Sequence, residues 1–130
     1  MDRIDIHIEV TPVSFDELAK RNHSAEKSES IRERVIKARS VQNDRYLNHG
    51  IHCNAQMGSR LLKEVCEIDD AGSELLKTAM KKLNLSARAY DRILKVARTI
   101  ADLDAADQIA THHLAEAIQY RSLDRENWAG

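Results

Sequence analysis

Apolar residues recur at helical spacing over most of this chain. The clearest segment is residues 85–103, LSARAYDRILKVARTIADL, in which Ser86 suits the N-cap of a helix. Two apolar stripes follow, one formed by Ile93, Val96, Ile100 and Leu103 and the other by Tyr90, Leu94, Ala97 and Ala101. So wide an apolar surface predicts a helix packed on two sides. The remaining face carries Arg88, Arg92, Lys95 and Thr99.

The pattern predicts four more helices. The first starts from a cap at Ser24 or Ser28 and ends near Tyr46, and Asn54, Asp69 and Thr111 suit the caps of the others. The predicted buried stripes are Ile31, Val35 and Ala38 in the first helix, Met57, Leu61, Leu62 and Val65 in the second, Leu75, Leu76, Ala79, Met80 and Leu83 in the third, and Leu114, Ala117 and Ile118 in the last.

Residues 3–10 alternate instead, with Ile4, Ile6, Ile8 and Val10 on one face and polar residues on the other. This predicts a strand with one buried face. No second strand pattern follows, and a single strand cannot pair its backbone groups, so we expect its sheet to lie upstream. The predicted fold class is all-α: a bundle of about five helices preceded by an orphan N-terminal β-strand and linker. Residues 1–23 form the strand and linker, 24–126 the helical domain and 127–130 a tail.

Composition and charge change this picture little. Aromatic residues are only 4% of the chain, and one proline and four glycines leave few turns for an all-β fold. The net charge of −1 gives no overall attraction to nucleic acid. The charge is uneven, however: residues 81–98 hold six cations and one anion, and residues 101–130 hold two cations and six anions. The basic helix face could bind an anion, or it could be simply solvated, with Asp91 and Lys95 paired.

Candidate chemistry is sparse. The sequence has no G-x-x-x-x-G-K-[ST] phosphate loop and no grouping typical of a nucleophilic triad, so we expect no catalysis by this chain alone. His49, His52 and Cys53 lie close in a loop, but Cys66 and the His112–His113 pair belong to other elements, so no four-ligand zinc set is complete and we predict no metal site. Two cysteines fit a reducing cytosol, and no apolar run could cross a bilayer.

Arg88 is the most informative single residue. A guanidinium in the first turn of a helix lies beside free backbone N–H groups and the positive end of the helix dipole. This is an unfavourable place for a cation unless an anion shares it. Arg88 is therefore either a phosphate contact or a solvated arginine on an exposed turn.

Several segments together resemble a known family. They are DRIDIHIEV at residues 2–10, IRERVIKAR at 31–39, NAQM at 54–57, the segment 85–103 quoted above and HLAEAIQYR at 113–121. They resemble the C-terminal module of the magnesium chelatase-like, competence (ComM-type) AAA+ ATPases of bacteria. The similarity covers nearly the whole chain and ends near Arg125.

The resemblance implies a helical lid that covers ATP in a cytoplasmic ring motor. Arg88 matches the sensor 2 arginine, which reaches the γ-phosphate, and Arg3 matches an arginine finger that acts in trans on a neighbouring subunit's ATP. The full-length parent would bind ATP and Mg²⁺, and this chain alone would bind neither. The implied partners are the upstream AAA+ core and neighbouring subunits of a homo-oligomeric ring. The ring would act either on DNA, which competence-type relatives remodel by branch migration, or on a porphyrin metal-insertion partner of the chelatase type. No membrane is implied.

Two functions of other classes stay open. A free-standing helical module could bind nucleic acid through the face of Arg88, Arg92 and Lys95, with a steep salt dependence. A helical adaptor for a protein partner is the other alternative. The orphan strand favours the lid over both, because a free-standing domain has no use for it. Arg98 lies near the apolar face of its predicted helix, and we expect it to form a buried ion pair with an acidic residue, for instance of a neighbouring helix. Trp128 lies beyond the segment that resembles the family.

Overall fold

A computed structural model of the chain describes Ile6 and residues 27–129, with side chains as far as residue 121. In this part of the chain the fold is all-helical, as predicted, and contains no strand. The elements are α1 (Ser28–Arg45), a 3₁₀ helix (Asn54–Gln56), α2 (Ser59–Val65), α3 (Asp70–Lys82), α4 (Ala87–Leu103) and α5 (Thr111–Ala129). The predicted strand at residues 3–10, with Arg3, lies outside the described residues except for Ile6. No described helix is long and apolar enough to cross a membrane.

Helix α4 is the centre of the bundle. It packs against α5, α1, α2 and the 3₁₀ helix, and α5 also packs against α3. Both predicted stripes contribute buried apolar residues, which are Ile93, Leu94, Val96, Ala97 and Ala101, and Ala89 is buried as well. Burial on several sides confirms the prediction for this helix. The ends of the stripes are exposed, at Tyr90 and Leu103, and Ile100 is half-buried.

Two of the predicted caps are confirmed and three are wrong. The Asp69 carboxylate accepts from Gly72 N–H at 2.7 Å and the Ser86 hydroxyl accepts from Ala89 N–H at 3.2 Å, so these residues cap α3 and α4. Ser28 is the first residue of α1, whose N-cap is Lys27, and Asn54 begins a 3₁₀ turn. The alternative cap Ser24 lies outside the described residues. Thr111 also lies inside its helix, as the first residue of α5. The N-cap of α5 is Ala110, whose carbonyl accepts from the N–H groups of residues 113 and 114. Alanine has no capping side chain, so local sequence could not indicate it.

The prediction for α1 is only partly correct. Ala38 is buried, but Ile31 and Val35 are 43% and 41% exposed. The buried residues of α1 are Ala38 and Gln42, both in its C-terminal half. The apolar stripe therefore runs along α1 beyond the part that the other described helices cover.

The second predicted helix is also different. Asn54 begins a 3₁₀ turn and α2 starts only at Ser59. Met57 and Leu62 are buried as predicted, and Leu61 and Val65 are half-buried. Asn54 caps no α-helix because its side chain takes part in a buried hydrogen-bond network.

Candidate functional site

The start of α4 presents Arg88 to solvent. Ser86 is the N-cap and Ala87 the first helical residue, so Arg88 lies in the first turn as predicted, and it is exposed. The next residue, Ala89, is 2% exposed and anchors this turn to the core. The first-turn N–H groups of a helix point along its axis toward any bound anion. An exposed guanidinium in the first turn of a helix is suited to a phosphate contact.

The turn before α4 brings other cations close in sequence. Helix α3 ends at Lys82, and Asn84 adopts the left-handed conformation with φ 52° that commonly ends a helix. Lys81 and Lys82 therefore lie in the last turn of α3, where cations are favourable. Arg88 differs from these two lysines, because it lies in the first turn of the next helix, where the helix dipole disfavours a cation.

The rest of the predicted basic face of α4 is used within the fold. Lys95 is half-buried, and its ammonium donates to the carbonyl of Ala55 at 3.3 Å. The Thr99 hydroxyl donates to the Lys95 carbonyl and accepts from the Asn54 amide, each at 3.0 Å. This face therefore contacts the 3₁₀ helix instead of remaining open to solvent along its length.

A buried carboxylate, Asp102, joins α4 to α1. Its side chain has no exposed surface. Arg45, at the end of α1, donates to both of its oxygens, at 2.7 and 3.0 Å. Arg98 Nε donates at 3.2 Å and Asn54 Nδ2 at 3.0 Å. A bidentate guanidinium fixes the angle between two groups as well as their distance, so this contact sets how α1 crosses α4.

Asn54 links the 3₁₀ helix to the same carboxylate. Its side-chain oxygen accepts from Arg45 and from the Tyr46 hydroxyl, and its amide donates to Thr99 and Asp102. Its backbone N–H donates to the Gln42 side chain at 3.0 Å. Asn54 and Tyr46 are each 1% exposed, so these bonds replace the water that both groups lose on folding.

The two arginines determine the ionisation of this cluster. Burial by itself would raise the pKa of Asp102, but the hydrogen bonds from Arg45 and Asn54 and the charge of Arg98 outweigh it, and the pKa is lowered. The pKa of Arg45 is raised, chiefly by its hydrogen bonds to Asp102. Burial raises the pKa of Tyr46. The cluster therefore holds one carboxylate between two guanidinium groups.

Arg98 forms the buried ion pair that we predicted, but its acidic partner is on its own helix. It is 3% exposed and pairs with Asp102 four residues later. Its other donors bind the carbonyls of Ala106 and Asp107 at 2.7 and 3.0 Å. Arg98 thus holds the loop that follows α4 and has a structural role.

A second polar cluster lies at the far end of α4. His113 is 2% exposed, whereas His112 is exposed. His113 Nδ1 accepts from the backbone N–H of Ala110 at 2.9 Å, and Nε2 lies 3.0 Å from Asp104 Oδ2. A histidine in the third position of α5 thereby does what Glu does in a capping box. The hydrogen bond from His113, followed by that from His112, lowers the pKa of Asp104.

Asp104, His112 and His113 also form the one group of three metal-ligand types that the described residues bring together, with ligand atoms within 4.8 Å. Hydrogen bonding argues against coordination there. Nδ1 of His113 accepts a hydrogen bond from the backbone N–H of Ala110, so the ring proton of neutral His113 is on Nε2, directed at Asp104. A metal at Nε2 would require that arrangement to break. His49, His52 and Cys53 form no such group among the described residues.

Sequence reasoning missed Arg45 and Asp102 altogether and gave Asn54 the wrong role. The sequence did contain one indication of this cluster. Arg98 and Asp102 are four residues apart on a predicted helix, which places them on the same face. The contact between Arg45 and Asp102 spans 57 residues and has no local signature.

Comparison with known proteins places the chain in a family. Residues 25–121 match the family described as magnesium chelatase, subunit ChlI C-terminal. The chain is 41% identical over 125 residues to competence protein ComM of Haemophilus influenzae and 36% identical over 125 residues to the uncharacterized protein YifB of Salmonella typhimurium. Each alignment covers 96% of this chain and 24% of the relative, so the chain spans about a quarter of the length of these relatives. The chain belongs to the magnesium chelatase-like family that includes ComM and YifB, and it corresponds to the C-terminal domain of these proteins.

Proposed function

We propose that this chain is the helical lid of an AAA+ ATPase and that it contributes Arg88, as sensor 2, to the ATP site of the whole protein. The observation that carries the proposal is the position of Arg88, exposed in the first turn of the most deeply buried helix. The rest of α4 is anchored by Ile93, Ala97 and Asp102, so its first turn is a rigid platform for the guanidinium. A phosphate contact needs that rigidity, because small displacements of a charged group weaken its effect on the reaction.

The chemistry of Arg88 suits a transferring phosphoryl group. A guanidinium can donate two parallel hydrogen bonds to phosphate oxygens, and negative charge on those oxygens is spread over the group in the transition state. The helix dipole, which disfavours Arg88 in isolation, also favours the phosphate. The bound γ-phosphate would therefore pull the lid toward the ATP site, and ADP would not.

The remaining components would come from outside this chain. The sequence has no phosphate loop, so the phosphate cradle and the Mg²⁺ ligands would belong to the rest of the protein. We expect this chain alone neither to hydrolyse Mg-ATP nor to bind it tightly. Arg3, outside the described residues, would act as the arginine finger on the ATP of a neighbouring subunit in a homo-oligomeric ring. The name of the ComM relative supports a role of the ring in competence, and DNA branch migration is the activity we propose for it.

The test compares two variants of the full-length protein. Arg88→Ala should lower ATP turnover by a large factor, since arginines at the transferring phosphoryl group contribute up to about 10³–10⁵ in rate. Arg92→Ala is the matched control, one turn further along the same helix, and should leave turnover nearly unchanged. The free energy of unfolding of the present chain should change by no more than about 0.5 kcal/mol in Arg88→Ala, because Arg88 is exposed. Unchanged turnover in Arg88→Ala, or a large loss of stability, would show that Arg88 is structural.

The same pair of variants separates the lid from a nucleic-acid-binding module. If the α4 face bound phosphates of DNA or RNA, Arg88→Ala and Arg92→Ala would weaken binding by similar amounts and reduce its salt dependence. The basic face that remains available to phosphates is shorter than the sequence predicts, because the Lys95 ammonium donates to the carbonyl of Ala55 in the 3₁₀ helix. Similar losses of nucleic-acid affinity without loss of ATP turnover would favour the module.

A further inference from the structure

A surface groove of about 630 Å³ runs between α1, α4 and α5. Its lining combines apolar side chains with polar and charged ones. The apolar residues that matter here are Val96, Ile100, Leu103, Tyr120 and Ile6. Leu103 is 41% exposed, and Ile100 and Tyr120 are half-buried. The described helices therefore leave apolar surface of α4 and α5 uncovered along this groove.

Ile6 lies at this groove although it is far from α1 along the chain. It is the one described residue of the predicted strand, and 47% of its surface is exposed. About half of the Ile6 surface is therefore covered, and Ile6 lines the same groove as Ile100, Leu103 and Tyr120. An isoleucine beside apolar side chains of two helices removes apolar surface from water on both sides, which is favourable.

The apolar residues around Ile6 recur over a length similar to that of the apolar residues of α4 at the groove. Ile4, Ile6 and Ile8 alternate with polar residues, so in an extended chain they point the same way and span about 13 Å. On α4, the distance from Val96 to Leu103 is about 10 Å at 1.5 Å per residue. Ile4 and Ile8 lie outside the described residues.

We propose that the groove between α1, α4 and α5 is the docking site for residues 4–8 of this same chain, which bind through Ile4, Ile6 and Ile8. Docking uses side chains of one face only, so the backbone N–H and C=O groups of the segment stay available to a sheet elsewhere in the protein. The same segment can therefore belong to a core sheet and contact the lid.

The consequence for regulation rests on the proposed function. Arg3, the candidate finger, is one residue before the docking segment, and Arg88, the candidate sensor, is in the first turn of the helix that lines the groove. A lid that moves with the γ-phosphate of its own ATP would then move the finger that serves the neighbouring subunit. The docking itself does not depend on this consequence.

The test measures proximity in the 130-residue chain without nucleotide. A nitroxide spin label is attached at Asp5→Cys in a Cys53→Ser background; Cys66 is buried and does not compete for the label. Docking predicts strong paramagnetic broadening of the amide signals of residues 99–103 and 118–121. Signals of α3, which does not line the groove, should be little affected and serve as the internal reference.

Three further samples make the result decisive. Ile6→Asp, with the same label, should abolish the broadening, whereas Ile36→Asp should leave it, because Ile36 is a half-exposed apolar residue of α1 that does not line the groove. A mixture of labelled, isotopically silent chains with unlabelled, isotopically enriched chains should show no broadening. Broadening in that mixture would mean that a second copy occupies the groove, and no broadening in any sample would mean that nothing docks there; either result overturns the proposal. None of these measurements involves ATP, so failure here would leave the role of Arg88 untouched.

Discussion

Replacing Asp102 with asparagine should destabilise this domain more than any other change that conserves side-chain shape. Every described neighbour of the carboxylate is a donor: Arg45 binds both oxygens, and Arg98 and Asn54 each bind one. Asparagine removes the negative charge and turns one acceptor into a donor that faces other donors. Arg98, which is 3% exposed, would then be a buried cation without a counterion.

The expected loss follows from the burial of the pair. Removing one partner of a buried ion pair costs about 3–5 kcal/mol, against a total stability of about 5–15 kcal/mol for a domain. At about 4–8 °C per kcal/mol for a domain of this size, the midpoint of thermal unfolding should fall by at least about 12 °C. Urea unfolding followed by far-UV circular dichroism measures the free energy directly.

Asp107→Asn provides the matched control. Asp107 is exposed, and it binds Arg98 through its backbone carbonyl, which the substitution leaves in place. Its free energy of unfolding should stay within about 0.5 kcal/mol of the unsubstituted chain. If the free energy of unfolding of Asp102→Asn equals that of Asp107→Asn, the network does not hold α1 against α4 and the reasoning is refuted.

Three further predictions concern pH, capping and thiol reactivity. The pKa values of Asp102 and Asp104 are lowered by folding, so the stabilisation they provide is complete above the unfolded value of about 4 and is lost as pH falls through the folded values; urea unfolding between pH 7 and 3 should show this, with a smaller dependence in Asp102→Asn. His113→Gln, which keeps an acceptor for the Ala110 N–H, should retain more stability than His113→Ala, where an unsatisfied N–H adds about 1–3 kcal/mol of cost; equal losses would show that the cap is unimportant. Burial raises the pKa of Cys66 to about 11, so a thiol reagent at pH 8 should modify Cys53 first and Cys66 only on unfolding; equal rates would contradict the burial.

The sequence predicted best what depends on neighbours along the chain. Helix α4 could be predicted almost residue for residue, because Ser86 caps it locally and the apolar residues that follow recur at helical spacing. The same is true of the cap at Asp69. Ile31 and Val35 continue a regular stripe in α1, but periodicity does not say which part of a stripe another helix will cover.

The buried network could not be predicted for a related reason. Asparagine is suited both to a helix cap and to a buried hydrogen-bond network. The role of Asn54 is determined by its contacts with Arg45 and Asp102, which come from distant segments of the chain. Ala110 can serve as the N-cap of α5 because its backbone N–H donates to Nδ1 of His113, a residue inside the helix. The position of Arg88 was readable because it depends on one local feature, the start of α4.

The most direct test of the central claim, that Arg88 contacts the γ-phosphate, is the affinity of the full-length protein for a non-hydrolysable ATP analogue and for ADP, with and without Arg88→Ala. Hydrogen bonds to charged groups contribute about 1.5–3 kcal/mol, so the variant should bind the ATP analogue about 10–100-fold more weakly. Its affinity for ADP, which has no γ-phosphate, should be unchanged. Equal affinities of the variant and the unsubstituted protein for the ATP analogue, or equal losses for both nucleotides, would contradict the claim.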